Sequence, residues 1–212
     1  MKRTILYVVV SFLFSMNLLA QDRFEHFTFD FGGAFSFPAG QLANHARTGF
    51  EFTASGGPRF NPSLSVGLDF ALSYFNVKNS LQSQAGTDFS RGAIVRTWSL
   101  TVNPTYQFLR REKSSYYVTA GYGLYNRQLQ IPVPDLSAAA SACDAFWKVC
   151  VNNSPTSTSV TGNLNPYVGG YNVGGGVNIG TRTKFFVEVR YHHMFTSDSP
   201  TELIPLTFGV RW

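Results

Sequence analysis

The sequence predicts an all-β fold: eight antiparallel strands closed into an up-and-down transmembrane β-barrel. Three observations carry that prediction. Apolar residues recur with a period of two over eight separate stretches. The residues between them are small or uncharged polar, and the connections alternate between short and long.

Composition bounds the problem first. The chain has 212 residues, of which 44% are hydrophobic, 16% aromatic and 14% charged, with 20 Phe, 10 Tyr and 19 Gly. Ordinary soluble chains carry about 25% charge, so charge is short here while aromatic material is abundant. That abundance excludes disorder. A mean hydropathy of -0.04 excludes a helical membrane protein. Beyond residue 20 no run of 18 apolar residues recurs, so no transmembrane helix is expected.

The start of the chain reads as a targeting segment. Lys2 and Arg3 form a basic region, residues 5–14 an apolar one, and Ala20 a small residue before Gln21 and Asp22. Residues 1–20 are therefore expected to be a signal peptide and residues 21–212 the barrel domain. Without Lys2 and Arg3, 15 basic residues stand against 12 acidic ones. No long basic run and no aromatic–basic motif suits nucleic acid, so none is expected as a partner.

The strands follow in order. Phe27, Phe29, Phe31, Phe35 and Phe37 alternate with Thr28, Asp30, Gly32, Ala34 and Ser36. Phe50, Phe52 and Ala54 oppose Glu51, Thr53 and Ser55, and Leu64 to Tyr74 oppose Ser65, Gly67, Asp69, Ala71 and Ser73. The fourth stretch sets Trp98, Leu100, Val102, Tyr106 and Phe108 against Thr97, Ser99, Thr101, Asn103 and Gln107. The fifth has Tyr116, Val118, Tyr122 and Leu124 against Thr119, Gly121 and Gly123. Tyr167, Tyr171, Val173, Val177 and Ile179 form the sixth, and Phe185, Val187, Val189, Tyr191 and Phe195 the seventh. The eighth is Ile204, Leu206, Phe208, Val210 and Trp212.

Links near 57–63, 109–115 and 180–184 are short. Those near 38–47, 76–92 and 130–165 are longer, and 196–202 is brief. Turns on one side and loops on the other is the layout of a membrane barrel. The second face decides which way the barrel is turned. A soluble barrel would carry Lys and Glu outside, whereas Gly, Ser, Thr and Asn suit the narrow, filled interior that eight strands leave. The apolar face is thus expected to meet lipid. Phe37, Tyr74, Trp98, Tyr106, Phe108, Tyr116, Tyr191 and Trp212 fall toward strand ends, as interfacial girdles do.

The last strand, Leu206, Phe208, Val210 and Trp212, ends the sequence on an aromatic. With the stretch from Phe185 to His193 before it, the chain resembles the small eight-stranded outer-membrane barrels, the family of OmpX, OmpW and the OmpA membrane domain. The resemblance spans residues 21–212. It departs in ending on Trp rather than Phe and in the long third loop with its cysteines. It implies a bacterial outer-membrane location with periplasmic termini, contact with lipid and lipopolysaccharide, and recognition of that last strand by the barrel-assembly machinery. Fold-level likeness says little about function.

Candidate site residues come from the inward parity. Asp30, Glu51, Asp69 and Glu188 are expected to face Arg127, Arg190 and Arg211 in the lumen, with His192 a further donor. Buried charges persist only when paired, so a structural ion-pair network is expected there. Cys143 and Cys150, in an exported chain, are expected to form a local disulfide. No zinc-type spacing surrounds them, and no metal or cofactor is expected.

A lipid A deacylase of this shape would pair a His with a Ser two residues on, plus an acid. Here Phe195 stands two residues after His193, while Ser197 and Ser199 lie beyond. An enzyme is not expected. Arg47, Lys78, Arg91, Arg96 and Lys148 lie in or beside the long loops, where lipopolysaccharide phosphates are available partners. The expected function is structural, surface display or adhesion through the loops. The alternative is an OmpW-like passive route for small hydrophobic molecules, which would need apolar groups such as Phe75, Tyr117 and Tyr125 inside the outer rim.

Overall fold

The computed structural model describes residues 27–78, 94–132, 142–144, 149–151, 159–196 and 200–212. The expected signal peptide lies outside them. Eight strands close into one antiparallel barrel: β1 (Phe27–Ala39), β2 (Gly49–Asn61), β3 (Leu64–Asn76), β4 (Ile94–Arg110), β5 (Ser114–Pro132), β8 (Ser159–Gly180), β9 (Lys184–Met194) and β10 (Thr201–Arg211). Each pairs with the next barrel strand in chain order, and β10 returns to pair with β1. Closure satisfies every ladder group and leaves no edge. A one-turn helix, α1 (Leu42–His45), follows β1.

The strands differ from expectation in one region. The third loop, read as 130–165, is partly strand: β5 and β8 stay paired up to Pro132 opposite Ser159. A separate two-stranded sheet, β6 (Ala142–Asp144) with β7 (Val149–Val151), stands within it. Its register sets Cys143 opposite Cys150; their side chains lie outside the described residues. Two register shifts, between Tyr125 and Arg127 and between Arg127 and Gln128, precede the extension, so Leu129 and Ile131 alternate out of phase with Tyr116 to Leu124.

Short turns at 62–63, 111–113 and 181–183 mark one end of the barrel. At the first, Asn61 Oδ1 accepts from the amides of Ser63 and Leu64, both at 2.8 Å, an Asx turn closing the hairpin. The opposite end carries the longer connections.

Period two decides the two faces. Phe31, Phe35, Phe50, Phe52, Leu68, Val102, Tyr106, Val118, Tyr122, Val173, Val189 and Phe208 are exposed on the outside, Phe50 at 67%. Ser36, Ser73, Thr97, Ser99, Thr101, Asn103, Thr119, Asn172 and Thr207 are buried inside. An apolar outer wall around a polar core is the inverse of a soluble protein and suits hydrocarbon. Aromatic pairs stand near both ends: Trp98 with Tyr167 at 5.7 Å toward the loops, and Phe108 with Tyr116 at 6.5 Å and Phe31 with Trp212 at 6.0 Å toward the turns.

Candidate functional site: the lumen and the rim

The lumen is built in layers. Near the turn end, Asp30 on β1 and Arg211 on β10 are direct ladder partners. The guanidinium grips the carboxylate with two bonds of 2.7 Å, Nε to Oδ1 and Nη2 to Oδ2. Its third arm donates to Asn178 Oδ1 at 3.1 Å, and Asn178 in turn donates to Ser115. Arg211 also lies over the rings of Tyr117, 4.6 Å away, and Phe186, 5.2 Å away. Such a pair holds geometry as well as charge.

Arg190 occupies the middle. It donates to Glu188, two residues back on β9, at 2.8 Å, and across the lumen to Asp69 on β3 at 2.7 Å. One cation thus bridges strands on opposite walls. Glu51 on β2 accepts from Ser73 Oγ at 2.6 Å rather than from an arginine, and these two are ladder partners on β2 and β3. Asp30, Asp69, Arg190 and Arg211 border two cavities of about 30 and 20 Å³, room for a water or two each.

Two candidates lie apart from this cluster. Arg127 stands nearer the loop end and donates to Thr201 Oγ1 at 2.8 Å. His192 faces inward but meets the Tyr125 hydroxyl at 3.1 Å instead of a carboxylate.

Large lumen side chains need absent ones opposite. Tyr117 faces Gly176, its ladder partner, and a Cβ there would come within 2.6 Å of the Tyr117 hydroxyl and 2.5 Å of the Val187 carbonyl. Gly209 likewise faces Phe186.

The three aromatics named for the outer rim divide. Phe75 and Tyr125 are fully buried toward the loop end, with Val77, Val95, Met194 and Leu203 and with Leu42 and Ala46 from around α1. Tyr117, three residues into β5 from its turn, is at the opposite end, beside Arg211. Parity fixes direction but not height, which is why the sequence misplaced it.

Sequence reasoning also missed a cluster on the outer wall. Glu202 on β10 is the ladder partner of His193 on β9. Tyr191 donates to Glu202 Oε1 at 2.9 Å, and His193 Nδ1 lies 3.1 Å from the Tyr191 oxygen and 3.4 Å from the carboxylate. Phe195 packs edge-on against His193 at 5.4 Å. The signal was the outward parity shared by Tyr191, His193 and Glu202. Register across a turn was needed to join them.

Chains of solved structure share this arrangement of a closed eight-stranded wall. Neisserial surface protein A is 16% identical over 87% of this chain and 95% of its own, with a TM-score of 0.56. This is the eight-stranded outer-membrane barrel fold. Two others of that fold align less closely: Ail, the attachment invasion locus protein of Yersinia pestis, at 15% identity over 89% of this chain and 99% of its own, TM-score 0.49; and the N-terminal barrel of Pseudomonas aeruginosa OprF at 14% over 87% and 97%, TM-score 0.40. No family model and no curated protein sequence matches.

Proposed function

We propose that the chain is a non-enzymatic barrel of the bacterial outer membrane, exported by residues 1–20, that acts through the segments at its loop end in surface display or adhesion. The observation that carries this reading is the filled lumen. Ion pairs from β1, β3, β9 and β10 brace it, and among the described residues the two cavities beside them hold about 30 and 20 Å³, room for a water or two each. A lumen filled in this way supports a role carried by the loops, where binding residues on rigid scaffolds commonly stand.

In outer-membrane fractions the unheated chain is expected to migrate faster on a gel than the boiled one. In planar bilayers it is expected to be electrically silent. Discrete single-channel steps would overturn the reading.

The same proposal assigns Leu206, Phe208, Val210 and Trp212 as the signal read by the assembly machinery. It assigns lipopolysaccharide phosphates to the exposed Arg47, Lys78 and Arg96, and with them Arg91 and Lys148, which lie outside the described residues. It pairs Cys143 with Cys150, whose backbones are already in register. Thiol labelling of the denatured, unreduced chain is expected to find no free cysteine; two labelled thiols would refute the pairing.

A second reading has its own support. The apolar collar of Phe75, Val77, Val95, Tyr125 and Leu203 under the loop end suits a small hydrophobic molecule leaving sideways into lipid. Proteoliposomes would then take up naphthalene faster than empty vesicles, and equal rates would retire this alternative.

A further inference from the structure

The turn end of the barrel gathers positive charge. Arg111 and Lys113 stand in one turn and Arg182 in another, all exposed. Just inside them, three more cations face the lumen from three walls. Arg59 on β2 is the ladder partner of Ser65, Arg110 on β4 that of Ser115, and Lys184 on β9 that of Arg211. Ladder partners share a face, so each of the three follows an inward-facing neighbour.

The protein does little to offset this charge. Arg110 and Arg211 both repel Arg59, and Arg59, Arg110 and Arg211 all repel Lys184, so these side chains converge over one mouth. Asp30 attracts Arg59, but both of its oxygens are already held by Arg211. Glu112, between Arg111 and Lys113, takes part in no ion pair among the described residues. Arg59 and Lys184 are half-buried, and Arg59 Nε is buried with no hydrogen-bond acceptor among the described residues. Partly desolvated like charges held together favour an anion between them.

The make-up of the cluster narrows the anion. Guanidinium groups grip oxyanions through paired N–H donors, and an ammonium adds a point charge. Cations converging from three walls call for three terminal oxygens and more than one negative charge. A phosphate monoester has both, with a charge of about −1.5 to −2 at neutral pH and three acceptor oxygens. A carboxylate offers two oxygens and one charge. A lipid phosphodiester offers no more, and it would meet the outer wall, whereas these side chains face the axis.

We propose that Arg59, Arg110 and Lys184 form a binding site for a phosphate monoester, entered along the barrel axis from the aqueous side of the turn end. Arg111, Lys113 and Arg182 at the rim draw the anion in. The lipopolysaccharide phosphates belong to the opposite end, so the two sites do not compete. The site stands on the closed barrel alone; only the assignment of its aqueous side to the periplasm rests on the outer-membrane reading.

The full chain, folded in a nonionic detergent, is titrated with methyl phosphate, dimethyl phosphate and acetate at constant ionic strength. Phosphorus NMR follows the two esters, and competition against methyl phosphate reads acetate. Detergent leaves both ends of the barrel open to solvent, so the result does not depend on which side of a membrane the turns face. Failure to give the compact gel band would instead count against the barrel itself. Methyl phosphate is expected to bind saturably and about tenfold more tightly than dimethyl phosphate or acetate. Arg59→Gln and Lys184→Gln are each expected to weaken that binding about tenfold. Diester or acetate binding as tight as that of methyl phosphate would overturn the proposal, and so would methyl phosphate binding that never saturates. Undiminished binding in both folded variants would overturn it as well. The comparison of the two esters needs no substitution, so it holds even where a variant fails to fold.

Discussion

Replacing Arg190 by alanine is expected to destabilise the folded barrel by about 3–5 kcal/mol, the cost of leaving a buried charge without its partner. Arg190 bridges Asp69 and Glu188, and its removal abandons two carboxylates at once in a lumen where Glu188 is almost fully buried. The temperature at which the compact gel band converts to the extended one should fall well below that of the unaltered chain. A second variant separates charge from packing. With Arg190→Met, Asp69→Leu and Glu188→Leu made together, no charge is stranded, and most of the lost stability is expected to return. An unchanged conversion temperature for Arg190→Ala would show that the bridge contributes nothing.

The other large effect is expected at Gly176. Valine there has nowhere to go: its Cβ would press on the Tyr117 hydroxyl and on the Val187 carbonyl. Overpacking of this kind costs about 1–3 kcal/mol, and a backbone atom in the way puts this site toward the upper figure. Tyr117→Ala in the same chain removes one of the two obstacles but not the carbonyl. Partial rescue is therefore expected, with the two substitutions coupled by about 0.5 kcal/mol or more in a double-mutant cycle. Additive losses would mean that the tyrosine and the glycine do not share space. Denaturant-induced unfolding from detergent, followed by tryptophan fluorescence, reads both.

The two cases show what the sequence could and could not convey. The wall was legible because side-chain parity is strictly local: Phe50 points out and Glu51 in wherever the strand sits. Strand number and turn order followed from the same signal. Height along the barrel was not legible, since it depends on the shear between strands and on bulges such as the register shifts beside Arg59 and Arg127. That is why Tyr117 was expected near the loops and lies near the turns. It is also why seven inward charges resolve into one bidentate pair, one bridge, a Glu51–Ser73 contact and an outlying Arg127. Pairing partners across the lumen are set by barrel radius and stagger. The rim cluster at Glu202 escaped for a related reason: its acid and its imidazole come from different strands, matched only once the last hairpin has its register.

The bond between Asp30 and Arg211 joins residues 181 positions apart. Every other seam of the wall lies between barrel strands that follow one another along the chain, β5 and β8 with only the small β6–β7 sheet between them, so each can zip locally as soon as both are present. The β1–β10 seam can form only after all of the others have a place to stand, and its ordering cost is met last. Until then two unsatisfied edges face outward and invite pairing with other chains. A bidentate clasp at that seam rewards the correct final closure over a slipped or intermolecular one, because a one-residue slip would turn the guanidinium out of the lumen. In kinetic terms, Asp30 and Arg211 act as a latch whose value is greatest in the last moments of assembly.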